Sequence, residues 1–343
     1  MIRLVLRAVT GIVALASGAL HAGALPDDAR RHVASGTIRI QGTEFVSGVL
    51  ARWMEGFGKL HPEVSFEVAL KGTGSAMPAL YTGRADLVFL GRENDITDNN
   101  GFGRVKQYPP TRFELLNGSL DEPGMADALV VFVHKDNPIE RMSLAELDAV
   151  FGHEGRRGLP RKLTWGDLGL SGAWADRPIN LHAYHARTGT GRFFQDKVLL
   201  KSRKMNWRRL KEYRNERYLD GTIHHASKQI LEALADDPHG LAVSGLRFPN
   251  DRVKPIALSV EAGGRAHRAT RESLVSGDYP LARRPYAFVD VPPGGRLDPA
   301  LGKFLDYVLS ARGQADVLEV RGYLPLDPRQ ASQQRGHLER LWP

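Results

Sequence analysis

Cysteine is absent from all 343 residues, which excludes disulfides, thiolate metal ligands and thiol nucleophiles together. The common catalytic signatures are missing as well: there is no G-x-S-x-G, no H-E-x-x-H and no G-x-x-x-x-G-K. Serine-hydrolase elbows, zincin helices and P-loops therefore have nothing to rest on. Long apolar runs are confined to the start, "MIRLVLRAVTGIVALASGALHAGA", where Arg3 and Arg7 precede an apolar stretch from about Ala8 to Leu20 and the small residues Ala22-Gly23-Ala24. That is the layout of a secretory signal peptide over residues 1–24, with a core too short to span a bilayer; the alternative is one uncleaved anchor. An exported chain without disulfides must rely on its apolar cores, which suits a sizeable periplasmic protein.

Positive charge is in surplus. The net formal charge is +8 and falls to +6 without the leader, which carries two arginines and no acid. The run Lys201 to Arg217, with eight basic and two acidic residues, accounts for a net +6. With Trp207 and Tyr213 interleaved it would suit phosphate contact and stacking on nucleic acid. Export argues against that partner, so the expectation is a solvated helical face that steers small anions or docks a protein.

The chain is long enough for two domains, and 42% apolar content supplies their cores. After a polar linker at 25–35 come a strand "TIRIQG", a helix with Phe45, Val49, Trp53, Phe57 and Leu60 on one face, the strand "VSFEVALKG", a glycine turn with a short helix, and the strand "ADLVFLG". Apolar residues spaced three or four apart mark the helix, and the alternation of strand and helix argues an α/β sheet with parallel strands. A second unit opens on the most apolar strand, "DALVVFVHKDNP", and continues through the helix "SLAELDAVF", the strand "INLHAYHA", the helix "ASKQILEALADDP" and the strands "GLAVSGL" and "VKPIALS". "YPLARRPYAFVDV" leads to a last helix over residues 298–320. The division expected is lobe 1 at 36–128, lobe 2 at 129–284, and a return to lobe 1 at 285–343. Ligands of such hinged pairs sit in the cleft at the carboxyl ends of the strands.

Three glycine-containing turns open helices: "QGTEF", "KGTGSAM" and "ARTGTGRFF". A helix start leaves N–H groups without intrahelical partners and carries partial positive charge. Glycine admits close approach, and Ser or Thr adds a hydroxyl. Any one of these turns is by itself an ordinary cap, with Ser75 and Thr190 serving only their own helices; three of them converging on a cleft make an anion site. His182, His185, His224 and His225 lack a nearby carboxylate pattern and read as surface or core histidines rather than metal ligands.

From about Gly36 to Leu326 the chain resembles the phosphate-binding proteins of bacterial ABC importers, of the type II periplasmic binding protein fold. The likeness rests on "GTGS" followed by a helix and "G-x-A-D-L", "VVFVHKDNP" with "SLAELDAVF" and "LTWGDLG", "TGTGRFFQDKVL", "DDPHGLAVSGL", and "YPLARRPYAFVDV" with "FLDYVLSARGQADVLEVRGYLPL". It implies an α/β fold of two lobes, each a mainly parallel sheet flanked by helices with hinge strands between, closing on an oxyanion without chemistry. The implied ligand is inorganic phosphate or a similar oxyanion and the implied partners are ABC permease subunits, with no cofactor, metal or nucleic acid and a monomeric chain. A sensing or scaffolding module of the same fold is the alternative.

Carried over by residue, the family's Ser-Gly-Thr falls on Thr188, Gly189 and Thr190, and its glycine-turn serine on Ser75 or Thr73, beside Gly74. Its Thr-Phe falls on Glu44 and Phe45, so that the hydroxyl comes from Thr43 or Ser47. The arginine that often precedes Ser-Gly-Thr falls on Tyr184, with Arg187 as its nearer replacement. The acidic acceptor aligns near Arg92, leaving Glu44 or Glu93 as the proton acceptor that would tell phosphate from sulfate.

Overall fold

The computed structural model describes residues 36–92, 94, 96–248 and 250–342; the expected leader and linker, and Glu93, lie outside them. Lobe 1 begins with β1 (Thr37–Gly42), α1 (Ser47–Gly58), β2 (Ser65–Ala69), α2 (Thr73–Tyr81), β3 (Leu87–Leu90), α3 (Ile96–Lys106) and β4 (Thr111–Phe113). Lobe 2 follows as β5 (Val130–His134), β6 (Arg141–Ser143), α4 (Leu144–Phe151), β7 (Asn180–Tyr184), α5 (Gly189–Lys197), β8 (Leu210–Tyr213), β9 (Glu216–Arg217), β10 (Ile223–His224), α6 (Ala226–Ala235), β11 (Gly240–Ser244), β12 (Val253–Pro255), β13 (Ala257–Ser259) and α7 (Arg271–Ser276). The chain then returns to lobe 1 with β14 (Tyr286–Val289), α8 (Pro299–Leu309), α9 (Ala311–Leu318) and α10 (Pro328–Glu339).

Each lobe is built on a five-stranded sheet, in the orders β2-β1-β3-β14-β4 and β12-β5-β11-β7-β8. Both sheets are mixed. β1 runs parallel to β2 and β3, and β7 parallel to β8 and β11, whereas β14 and β5 each lie antiparallel to both neighbours. The antiparallel strands are those next to the crossings between lobes, where the chain enters a sheet from the other lobe rather than through a βαβ unit. Residues of β5 and β11 are buried throughout, which is why their sequences read as continuous apolar runs.

Packing follows the amphipathic faces. In lobe 1, α1 buries Val49, Leu50, Trp53 and Phe57, and Trp53 Nε1 donates to the Gly313 carbonyl at 2.8 Å, tying α1 to α9. Burying one such aromatic stabilises the lobe by about 1.5–3 kcal/mol. The expected last helix is two helices, because the Ser310 hydroxyl accepts from Gly313 N at 3.2 Å and restarts the helical ladder there. "VKPIALS" likewise divides, β12 joining the main sheet of lobe 2 and β13 pairing with β6.

The expectation of a helical face at Lys201–Arg217 is corrected. That run holds β8, an edge strand of the lobe 2 sheet, and β9. β8 pairs with β7 in register from Leu181–Leu210 to Tyr184–Tyr213, and Leu210 and Tyr213 pack on the lobe 2 core. Burial of those two residues outweighs helical propensity, and Lys211 and Glu212 between them place charge on an edge strand, which discourages pairing with other chains.

Two segments, 114–129 and 277–285, join the lobes and run side by side. Gly118 N donates to the Arg283 carbonyl at 3.0 Å, Leu129 N to the Leu281 carbonyl at 3.2 Å, and the Tyr279 hydroxyl to the Leu129 carbonyl at 2.9 Å. This paired crossing fixes the side chains of both segments at the mouth of the interlobe cleft.

Candidate functional site

A cavity of about 230 Å³ lies between the lobes where the linking segments meet the starts of α2 and α5. Lobe 1 supplies Thr43, Phe45, Thr73, Gly91 and Arg92 to its wall; the linking segments supply Gly124, Asp127 and Arg283; lobe 2 supplies Gly189 and Thr190.

The lobe 1 wall is set by close backbone approaches. Gly42 ends β1 at φ +143, and a Cβ there would meet the Phe89 carbonyl oxygen at 2.2 Å, so only glycine fits. That contact lets Thr43 N donate to Phe89 O at 3.0 Å and turns the chain into the cleft. Opposite stands Gly91, whose missing side chain leaves room for two hydroxyls: a Cβ there would be 3.2 Å from Thr43 Oγ1 and 3.4 Å from Thr73 Oγ1. Thr73 Oγ1 accepts from Gly91 N at 3.1 Å, which leaves its proton to donate elsewhere. The Phe45 ring lies on Gly124, closing one side of the cavity with an apolar wall.

The lobe 2 wall is the first turn of α5. Thr188 caps that helix: its hydroxyl accepts from Gly191 N at 3.0 Å and donates to the His185 carbonyl at 2.8 Å. Gly189 and Thr190 then present the first N–H groups of the helix at the cavity wall, where the helix dipole adds positive potential.

Between the walls stands a buried charged pair. Arg283 is 5% exposed and Asp127 8%, with Arg283 Nη1 3.8 Å from Asp127 Oδ1 and 3.3 Å from Thr190 Oγ1, to which it donates. The guanidinium also lies 5.4 Å over the Phe193 ring. Its Nε–H is buried and has no hydrogen-bond partner among the described residues, an arrangement that costs free energy unless a further acceptor is met. Burial pushes the Asp127 carboxyl above the usual range, and Arg283 opposes that shift. Burial likewise raises the Tyr184 phenol, and the nearby Asp127 adds to the effect. Arg92, the second cation in the wall, is held by Asp98 through Nη1 at 2.6 Å and Nη2 at 3.3 Å, and its stem packs against Gly189 across the cleft.

Of the residues singled out in the sequence, Thr43, Phe45, Arg92, Gly189 and Thr190 line this cavity, and Glu44, Gly74, Ser75, Arg187 and Thr188 do not. Ser75 spends both its N–H and its hydroxyl on the Gly72 carbonyl, at 3.1 and 2.8 Å, and Thr188 is committed to its cap. Gly74 and Glu44 face solvent. Arg187 lines a neighbouring chamber. His182 is buried, with Nε2 3.1 Å from Asp237 Oδ2 and Nδ1 2.9 Å from the Tyr213 hydroxyl. Among the described residues no group of three His, Asp or Glu side chains is placed to hold a metal ion, and no helix is long and apolar enough to cross a membrane.

Asp127 and Arg283 escaped the sequence reading. Their signal was present: Asp127 is the one acid heading the most apolar strand, and Arg283 belongs to an Arg-Arg pair inside the otherwise apolar "YPLARRPYAFV". A charge placed where burial is certain needs a partner or a ligand.

Comparison with known proteins yields one consistent picture. The description "PBP superfamily domain" matches residues 29–312. The phosphate-binding protein PstS of Pseudomonas aeruginosa is 30% identical over 312 residues, covering 90% of this chain and 88% of that protein. Among solved structures, PstS from Borrelia burgdorferi is similar at a TM-score of 0.55 with 15% identity, over 85% of this chain and 99% of the other. An ABC-type phosphate transport receptor from Vibrio cholerae is similar at 0.53 with 16% identity, over 84% and 100%. The two structures speak to the fold, the P. aeruginosa relative to the family.

Proposed function

Because the chain belongs to the phosphate-binding proteins of the PBP superfamily, we propose that its interlobe cavity captures inorganic phosphate for ABC import. The observation that carries this reading is the buried Arg283, which lines the cavity and donates from Nη1 to Thr190 Oγ1 while Asp127 sits 3.8 Å away. A cation alone would take any oxyanion. Phosphate keeps a proton at neutral pH and can donate that O–H in a hydrogen bond to the Asp127 carboxylate, whereas fully ionised sulfate meets the same carboxylate with repulsion. In this reading the acceptor role expected of Glu44 falls to Asp127 and the charge expected of Arg187 to Arg283, while Glu93 lies outside the described residues.

Thr43, Thr73, Thr190 and the first N–H groups of α5 complete the donor set. Magnitudes allow it: micromolar affinity needs about 8 kcal/mol, and hydrogen bonds to charged groups contribute ~1.5–3 kcal/mol each. Five or six of them suffice after desolvation takes its share. The ligand bridges both lobes, so binding and hinge closure are one equilibrium. The reading extends to a periplasmic monomer, exported by the leader at 1–24, that hands its ligand to permease subunits. A thermal-shift panel of phosphate, sulfate, molybdate and organic acids tests it, since a ligand specific to the native state raises its melting temperature. A shift with phosphate and little with sulfate is expected; no shift with phosphate at millimolar concentration refutes the reading.

A further inference from the structure

Beside the inner cavity lies a larger chamber of about 830 Å³, and both have Arg92 and Gly189 in their walls. A single phosphate does not require it. Lobe 1 contributes Asn94, Ile96, Thr97 and Asn99, and lobe 2 the first turns of α5 and the start of the basic run. Among the described lining residues five are cations (Arg92, Arg187, Arg192, Lys201 and Arg203) and one is a carboxylate, Asp196. Asp196 is engaged by Arg203 at 2.7 Å, and Arg92 by Asp98. Arg187 and Lys201 make no ion pair with any described carboxylate.

We propose that this outer chamber is a second anion site, which receives the further phosphoryl groups of a condensed phosphate whose terminal group sits in the inner cavity. The proposal rests on the reading of that cavity as a phosphate site. Three observations carry it. The two chambers share Arg92 and Gly189 as wall residues, so the Arg92 side chain borders both. Arg187 and Lys201 supply charge that a monophosphate held in the inner cavity does not use. Five cations face one carboxylate among the described lining residues, and each added phosphoryl group brings the negative charge that clustered cations favour. The basic run, unexplained by the inner cavity, thereby acquires a use at its Lys201 end.

The test is calorimetric titration of the full chain, without divalent cations, with phosphate, pyrophosphate, tripolyphosphate and glycerol phosphate, for wild type and for the double variant Arg187→Gln, Lys201→Gln. Glutamine keeps the length of each side chain and removes its charge, and melting curves verify that the variant folds. Wild type is expected to bind pyrophosphate or tripolyphosphate at least as tightly as phosphate. The variant is expected to lose tenfold or more for those two, the order of one or two charge-assisted contacts, and to keep its phosphate affinity. Rejection of both condensed phosphates by a wild type that binds phosphate overturns the proposal. So does binding of glycerol phosphate in their place, or an equal loss for phosphate and condensed phosphate in the variant. Failure to bind phosphate at all is a separate result, which removes the inner-site reading itself.

Discussion

In the proposed reading selectivity depends on Arg283 and Asp127, and both derive their properties from burial. A guanidinium offers five donors in a rigid fork and stays charged at any working pH. Arg283→Lys keeps the charge, shortens the reach and loses the fork, so phosphate affinity is expected to fall about 10- to 100-fold by calorimetry, the loss of one or two charged contacts. Asp127 works through its protonation state. Its folded carboxyl lies above the ordinary value because of burial, so the stability linked to its protonation is fully present below the unfolded value of ~3.9 and is lost as pH rises through the folded one. Asp127→Asn removes that loss: its melting temperature relative to wild type should rise between acid and neutral pH. The same titration governs discrimination, since a protonated Asp127 no longer repels sulfate. Wild-type preference for phosphate over sulfate is expected to shrink as pH is lowered, and that of Asp127→Asn to stay small and flat.

At the scale of elements, the sequence was most legible where periodicity met composition. Strands β1, β3, β5 and β11 and helices α1 and α6 stand where their apolar spacing puts them, because burial of one face decides both secondary structure and packing. Legibility failed where a tertiary contact decides. The first turn after β1 contains Phe45, which the helical spacing assigns to the core; it is 39% exposed and serves as a wall of the cleft. The basic run looks helical by charge pattern yet forms an edge strand because Leu210 and Tyr213 are drawn to the core. The glycine turns open helices, but their hydroxyls divide by position: those at the cap or third residue, Thr188 and Ser75, are consumed by their own turns, while Thr73 and Thr190 at the first and second residues reach the cavity. Gly42→Ala should cost several kcal/mol of stability by denaturant unfolding, above the ~1–3 kcal/mol of a strained dihedral alone, because it adds a clash with Phe89 O. Ser143→Ala, which removes the capping box of α4 far from the cleft, should cost ~1 kcal/mol and leave ligand affinity unchanged.

The whole molecule is two lobes joined by two hydrogen-bonded crossings, and the proposed function needs both. Neither lobe alone holds the cavity: Thr43 and Thr73 come from one, Gly189 and Thr190 from the other, and the charged pair from the crossings. Architecture and family could be read from the order of motifs along the chain, whereas the charged pair could not, because Asp127 and Arg283 are 156 positions apart in sequence and meet only through the hinge. Closure should be visible in solution as a smaller radius of gyration by X-ray scattering when phosphate is added, and the change should be absent in a variant that no longer binds it.

In the proposed function a buried carboxylate beside a buried guanidinium selects a protonated oxyanion. Calorimetric titration with phosphate and with sulfate at pH 8, for wild type and Asp127→Asn side by side, tests it most directly. Wild type is predicted to bind phosphate at micromolar affinity or tighter and sulfate at least a hundredfold more weakly, with the variant bringing the two affinities to within about tenfold, as expected when a like-charge repulsion worth several kcal/mol is removed. Equal binding of the two anions by wild type, or undiminished selectivity in Asp127→Asn, would contradict it.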